Sequence, residues 1–111
     1  MIKAEVVLEG GLFKSCIISG HAGAGPVGSD IVCAAVSVLS RTAFKVLSER
    51  EGLVVRGEAP ERGEFRLELS DYPDEENREF VSGIGAFLIE GLLFVSEKFP
   101  EFCKVSIEDR R

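Results

Sequence analysis

The sequence predicts an α+β protein, a mainly antiparallel sheet packed with two long helices in the order ββαββαβ. Three observations predict it. Short alternating segments come in pairs, joined by turns that carry glycine or proline. Two longer segments repeat their apolar residues at three- and four-residue steps, and one more alternating segment closes the chain. With 111 residues the chain has the length of one domain, 1–111, and buries a core without needing disulfides or a structural metal.

The elements follow in order. Over residues 2–9, Ile2, Ala4, Val6 and Leu8 share one face while Lys3, Glu5 and Glu9 fall mostly opposite, the pattern of a half-buried strand. Gly10-Gly11 supplies the permissive backbone of a hairpin into a second strand, Leu12 to Ser19. After a glycine-rich stretch, Val32, Val36, Leu39, Ala43 and Val46 mark a helix from about Asp30 to Glu49, which Gly52 ends. Leu53 to Glu58 and Glu64 to Ser70 read as a second hairpin across Ala59-Pro60-Glu61-Arg62-Gly63. Its latter strand sets Phe65, Leu67 and Leu69 against Glu64, Arg66 and Glu68. Asp71-Tyr72-Pro73-Asp74 signals a turn and a helix start, and that helix runs to about Lys98, before Pro100. A last strand, Phe102 to Glu108, points Cys103, Val105 and Ile107 to one side.

The second helix is apolar around most of its circumference, through Phe80, Ile84, Phe87, Leu88, Leu92, Phe94 and Val95, so it needs cover on more than one face. Gly83, Gly85 and Gly91 each weaken a helix by roughly 1 kcal/mol relative to alanine, and close backbone packing is the expected compensation. A second subunit is one source of that cover.

Charge and cysteine usage narrow the setting. Thirteen basic and 19 acidic residues leave a net charge of −6. An acidic surface repels phosphate backbones, which excludes direct nucleic-acid binding through a broad basic face and favours a basic partner. Three cysteines, at 16, 33 and 103, cannot all pair. The opening MIKAEVVLEG places Lys3, Glu5 and Glu9 where a signal peptide needs an apolar run. Phe80 to Ser96, the longest apolar stretch, is interrupted by Glu90 and falls short of a membrane span. The expectation is a cytoplasmic protein with reduced thiols, no membrane partner and no cofactor.

The segment that carries chemistry is GHAGAGPVGSDIVCAAVS, residues 20–37. It holds the chain's one histidine, His21, at the end of a predicted strand, then Asp30 and Cys33 in the first turn of a predicted helix. A thiol acts as a nucleophile in its thiolate form, and two devices favour that form here. A helix N-terminus contributes roughly 0.3–1 kcal/mol at an exposed site. An imidazolium about 4 Å away contributes roughly 4 kcal/mol at an effective dielectric of 20, so the histidine is the larger influence. Asp30 lies three residues before Cys33, and a free carboxylate there opposes thiolate formation. Capping the helix, orienting His21 and holding a cationic side chain of a substrate are all open to it. Ser37 follows Cys33 by one turn on the same face, placed to hydrogen-bond within the site. Cys16 and Cys103 read as structural, each in a strand beside apolar neighbours.

Gly23, Gly25 and Gly28 give the loop freedom to fold over a bound peptide as a lid, or to turn backbone N–H groups towards a developing oxyanion. Residues 23–28 also spell G-x-G-x-x-G between a strand and a helix. The strands that follow read as a hairpin, and no acidic residue ends a strand about 20 residues on, so a dinucleotide turn is disfavoured. No lysine follows Gly28 to make a phosphate loop, and His21, Asp30 and Cys33 lack the C-x-x-C spacing of a dedicated zinc site.

These eighteen residues resemble the signature of the Prp family of ribosomal-processing cysteine proteases, in which G-H-A precedes a variable loop and then G-x-D-I-V-C-A. The matching positions are Gly20-His21-Ala22, Gly28-Ser29-Asp30-Ile31-Val32-Cys33-Ala34, and Ser37. The resemblance implies a homodimeric cytosolic endopeptidase, with Cys33 as nucleophile, His21 as general base and Asp30 and Ser37 in support. Gly20, Ala22, Gly23, Gly25, Gly28 and Ser29 would belong to the lid and substrate-binding loop. The implied substrate is a basic large-subunit ribosomal protein, L-twenty-seven, made with an N-terminal extension that the enzyme removes. Gly23-Ala24-Gly25-Pro26-Val27 departs from the pattern, lacking the polar and acidic residues that some members carry in this loop. The competing expectation is a non-catalytic ribosome-assembly or protein-binding module that docks through the apolar helix and the acidic surface.

Overall fold

The computed structural model describes residues 1–20, 29–61 and 63–110, with the backbone alone for Ser29 and Asp30. Five strands and two helices appear in the expected order: β1 Ile2–Glu9, β2 Leu12–Ser19, α1 Ser29–Ser48, β3 Val55–Glu58, β4 Phe65–Leu69, α2 Glu75–Lys98 and β5 Cys103–Arg110. The strands form one sheet in the order β3-β4-β2-β1-β5. Three neighbouring pairs are antiparallel, and β5 joins the edge of β1 in parallel. β4 lies between β2 and β3, so the strands flanking α1 are not neighbours, unlike those of a dinucleotide-binding unit.

Alternation decides which face each strand buries. Ile2, Ala4 and Val6 of β1, Cys16 and Ile18 of β2, Phe65, Leu67 and Leu69 of β4, and Cys103 of β5 all enter one core. In β2 the phase slips, because Val7 pairs with Ser15 but Leu8 pairs with Phe13, leaving Lys14 as an extra residue. This bulge moves Phe13 onto the core face, and the Lys14 ammonium donates to the Leu69 carbonyl.

Both helices lie against the sheet, α1 over β3 and β4, α2 over β2 and β5. α1 buries Val32, Val36, Ser40, Ala43 and Leu47. The sequence pattern placed Leu39 and Val46 in this stripe, and both are half-buried at its margin. Ser40 is accepted into the apolar stripe because its hydroxyl donates to the Val36 carbonyl at 2.8 Å. α2 buries Val81, Gly85, Leu88, Leu92 and Val95, leaving Phe87 74% and Phe94 61% exposed. Gly85 and Gly91 are compensated by close packing, against Phe13 and Leu39, whereas a side chain at Gly83 would meet nothing.

Smaller differences have local causes. β3 begins at Val55 rather than Leu53, since Leu53 N–H is taken by the Arg50 carbonyl in the turn that ends α1. β5 continues to Arg110, beyond the expected Glu108, because β1 offers pairing partners as far as Glu9. Residues 31–48 and 75–98 are also long and apolar enough to cross a membrane by length and composition, a longer reach than the interruption at Glu90 suggested. Here each lays a buried stripe along the sheet.

The fold gathers one end of the molecule. The end of β2, the starts of β1, β4 and β5, the start of α1 and the end of α2 all meet there. Ile2 N–H donates to Phe102 O at 2.8 Å, and Ser96 Oγ donates to Cys103 O at 3.0 Å, fastening β1 to the turn before β5 and α2 to the first residue of β5.

Candidate active site

Cys33 lies one turn inside the N-terminus of α1, half-buried beside the stripe that seats the helix on the sheet. Val32 and Val36 flank it and are almost wholly buried, so their packing fixes the rotation of α1 and hence the direction of Cys33. The sulfur side chain is the one thiol of three with partial solvent access. Because α1 begins at Ser29, Cys33 is its fifth residue and stands just past the first turn, where the unpaired N–H groups and dipole of the helix start favour negative charge. Ser37 is exposed one turn further on, sharing the Cys33 side of the helix, and its carbonyl accepts a long 3.4 Å bond from Ser40 Oγ.

The other two thiols have a different character. Burial pushes the Cys16 thiol up to about 12, and burial also raises that of Cys103. Each is held protonated in a strand and is a poor nucleophile, as their apolar neighbours predict.

Gly20 closes β2 at the same end. Its φ is +90°, and a side chain there would collide with the Met1 backbone carbonyl. Nothing in the sequence outside the G-H-A motif singles out this corner, because the partner is a backbone atom. His21, Ala22, Gly23, Gly25 and Gly28 lie outside the described residues, as do the side chains of Ser29 and Asp30. The described chain therefore carries the two ends of the motif, Gly20 leaving the sheet and Cys33 entering the helix.

An open apolar surface that the sequence did not disclose lies between the two helices. Ile31, Ala35, Val38 and Leu39 line it from α1, Gly91 and Phe94 from α2. Gly91 lets Leu39 lie against the α2 backbone there, since a methyl group at Gly91 would stand 2.7 Å from Leu39 Cδ2.

A half-exposed cysteine one turn into a helix, at the end of an α+β layer where β2 stops at Gly20, is the kind of position at which a thiol hydrolase carries its nucleophile. The chain belongs to the Prp cysteine protease family, whose model matches residues 1–104. Family membership makes it a cysteine protease and sets aside the non-catalytic binding module. SMU.848 from Streptococcus mutans is 30% identical, with a TM-score of 0.82 and coverage of 99% of this chain and 96% of that one. The ribosomal processing protease Prp from S. aureus in complex with a substrate peptide has a TM-score of 0.79 at 18% identity, covering 96% and 99%. The S. aureus protease with a covalently linked product peptide gives 0.78 at 21% identity, with the same coverage. No curated protein sequence matches the chain.

Proposed function

We propose that the protein is a cytoplasmic, homodimeric endopeptidase that removes the N-terminal extension of a large-subunit ribosomal protein, L-twenty-seven, with Cys33 as nucleophile and His21 as general base. The observation that carries the reading is Cys33 itself, the accessible thiol, one turn into α1 within the Prp signature. His21 takes the thiol proton, and Sγ bonds to the peptide carbonyl carbon. The C–N bond breaks, and the leaving amine takes that proton from His21. Water then gives a proton to His21 and attacks the thioester, releasing the new carboxyl end and returning the proton to sulfur.

The S. aureus structures support a peptide substrate and a covalent intermediate, since they hold a substrate peptide and a covalently linked product peptide in a protein of the same fold. A net charge of −6 suits a substrate rich in lysine and arginine. Three free thiols suit a reducing compartment. The open apolar surface between α1 and α2, with Phe94 and Val38 exposed, supports a homodimer as the cover that α2 requires.

Incubation with an L-twenty-seven peptide carrying its extension, followed by mass spectrometry, tests the proposal. Wild type releases the extension, while Cys33→Ala and His21→Ala do not. Cleavage that survives Cys33→Ala would overturn it.

A further inference from the structure

The two edges of the sheet differ. β3 has four residues and carries Arg56 and Glu58. β5 has eight, with no proline, and its register against β1 runs unbroken from Cys103 to Arg110. Among the described residues no strand pairs with its outer side. The ladder opens with Ile2 N–H on Phe102 O and closes with Gly10 N–H on Arg110 O, so the even-numbered residues of β5 turn their peptide groups to β1. Those of Val105, Ile107 and Asp109 point outward. Cys103 is already served, its N–H by Phe99 O and its carbonyl by Ser96 Oγ.

A long, unbroken edge pairs with another strand unless a proline, a bulge or an inward charge blunts it. On the helix side of β5, Val105 is half-buried and Ile107 is 45% exposed. The flank of α2 that Ser96 fastens to β5 also carries, at helical spacing, Ile89 and the 38% exposed Leu93. Apolar side chains thus stand along an open row of donors and acceptors.

The strand's own sequence selects the occupant. In an antiparallel pair with a second copy, outward residues must face outward residues, so the twofold axis falls on a residue. An axis at Ile107 sets Lys104 against Arg110 and Val105 against Asp109. An axis at Val105 sets Lys104 against Ser106 and leaves Glu108 facing Phe102, outside the strand. An axis at Ser106 sets Lys104 against Glu108 twice on the solvent side, and Val105 against Ile107 twice on the helix side, each exchanging both backbone bonds. We propose that β5 is a self-pairing edge: a second copy of this chain joins it antiparallel about a twofold axis at Ser106, continuing the sheet across both molecules. This contact is separate from the α1–α2 surface proposed for the dimer, and joins one dimer to the next. It is small, so it forms in concentrated protein.

Sedimentation equilibrium over a concentration series tests it, with crosslinking as an independent readout. Wild type doubles in mass on concentration, and so does Phe94→Glu. Failure of the dimer reading therefore alters the starting mass and leaves the doubling in place. Lys104→Glu or Glu108→Lys sets like charges opposite each other twice and weakens the doubling about tenfold, while the two changes together restore it. Ile107→Pro removes an outward N–H that β1 does not use, and abolishes the doubling at a melting temperature near that of wild type. Should that variant fail to fold, the charge variants decide, since Lys104 and Glu108 are exposed. In a Cys33→Ala chain, Ser106→Cys faces itself about 4.5 Å away at Cα, and diamide crosslinks it. Glu108→Cys, which faces Lys104, stays uncrosslinked. One mass at every concentration, a double change as weak as the single ones, or equal crosslinking at 106 and 108 would overturn the proposal.

Discussion

Phe13 and Gly85 meet without a gap: a methyl group on Gly85 would stand 2.6 Å from Phe13 Cβ and 3.1 Å from Cγ. The bulge in β2 aims Phe13 at α2, and the missing side chain at Gly85 lets the helix backbone descend onto it. The helix that covers β2 is therefore seated by a glycine, at a site where helix propensity alone would favour alanine.

Two glycines two residues apart should respond in opposite directions. Gly83→Ala adds a side chain in open space and is expected to stabilise by up to about 1 kcal/mol. Gly85→Ala forces a methyl into a ring that is 3% exposed and should cost about 1–3 kcal/mol. Urea unfolding of both variants checks the contrast, and a gain in both would show that α2 can lift off Phe13.

Burial of the thiols gives a pH dependence of known sign. The Cys16 pKa rises from 9.0 to about 12 on folding, so above about pH 9 the unfolded chain releases a proton that the folded chain retains. Its contribution is full below pH 9 and is lost as pH rises towards 12, with a slope of about 1.4 kcal/mol per pH unit. Stability measured between pH 8 and 11 should fall more steeply in wild type than in Cys16→Ala. At pH 7 in the native state, iodoacetamide should label Cys33 alone, and in denaturant all three cysteines.

Asn77 joins the two helices at the end remote from Cys33. Its side-chain oxygen accepts from Arg50 Nε at 2.9 Å, its amide donates to Glu51 O at 3.1 Å, and its backbone N–H is capped by Asp74 Oδ1 at 2.9 Å. Asn77→Ala removes the acceptor of Arg50, which keeps its place over the Phe80 ring, and the donor to the carbonyl of the exposed Glu51, and should cost about 1 kcal/mol. Asp74→Ala removes the cap and should cost about 1 kcal/mol. Cys33 lies 15 residues of helical rise, roughly 22 Å, from the end of α1 at Ser48, so kcat should stay within about twofold of wild type in both variants when assayed well below the melting temperature.

The exposed apolar surface between the helices predicts the oligomeric state. Phe94→Glu places a charge where the proposed dimer buries a ring, and sedimentation should show a folded monomer in place of a dimer. A variant that sediments as wild type does would assign the contact to another face.

The elements were legible because their periods are clean. Ile2-Ala4-Val6 and Phe65-Leu67-Leu69 alternate without interruption, and Asp74 and Pro100 mark the ends of α2. Pairing was not legible, since β4 inserts between β2 and β3 through contacts distant in sequence. Nor was the bulge at Lys14, which only the register reveals. In the site, Cys33 stood out by its place at a helix start. The Gly20–Met1 contact did not, because it depends on a carbonyl that every residue carries. The apolar surface between the helices also escaped, as it needs Gly91 and Leu39 to be known as neighbours.

The central claim is that Cys33 is a nucleophile activated mainly by His21. The rate of Cys33 alkylation at pH 7 in wild type, His21→Ala and Ser29→Ala tests it most directly. The account predicts a fall of about tenfold or more for His21→Ala and a smaller one for Ser29→Ala, following the larger attraction of the imidazolium. Equal rates in wild type and His21→Ala would contradict it.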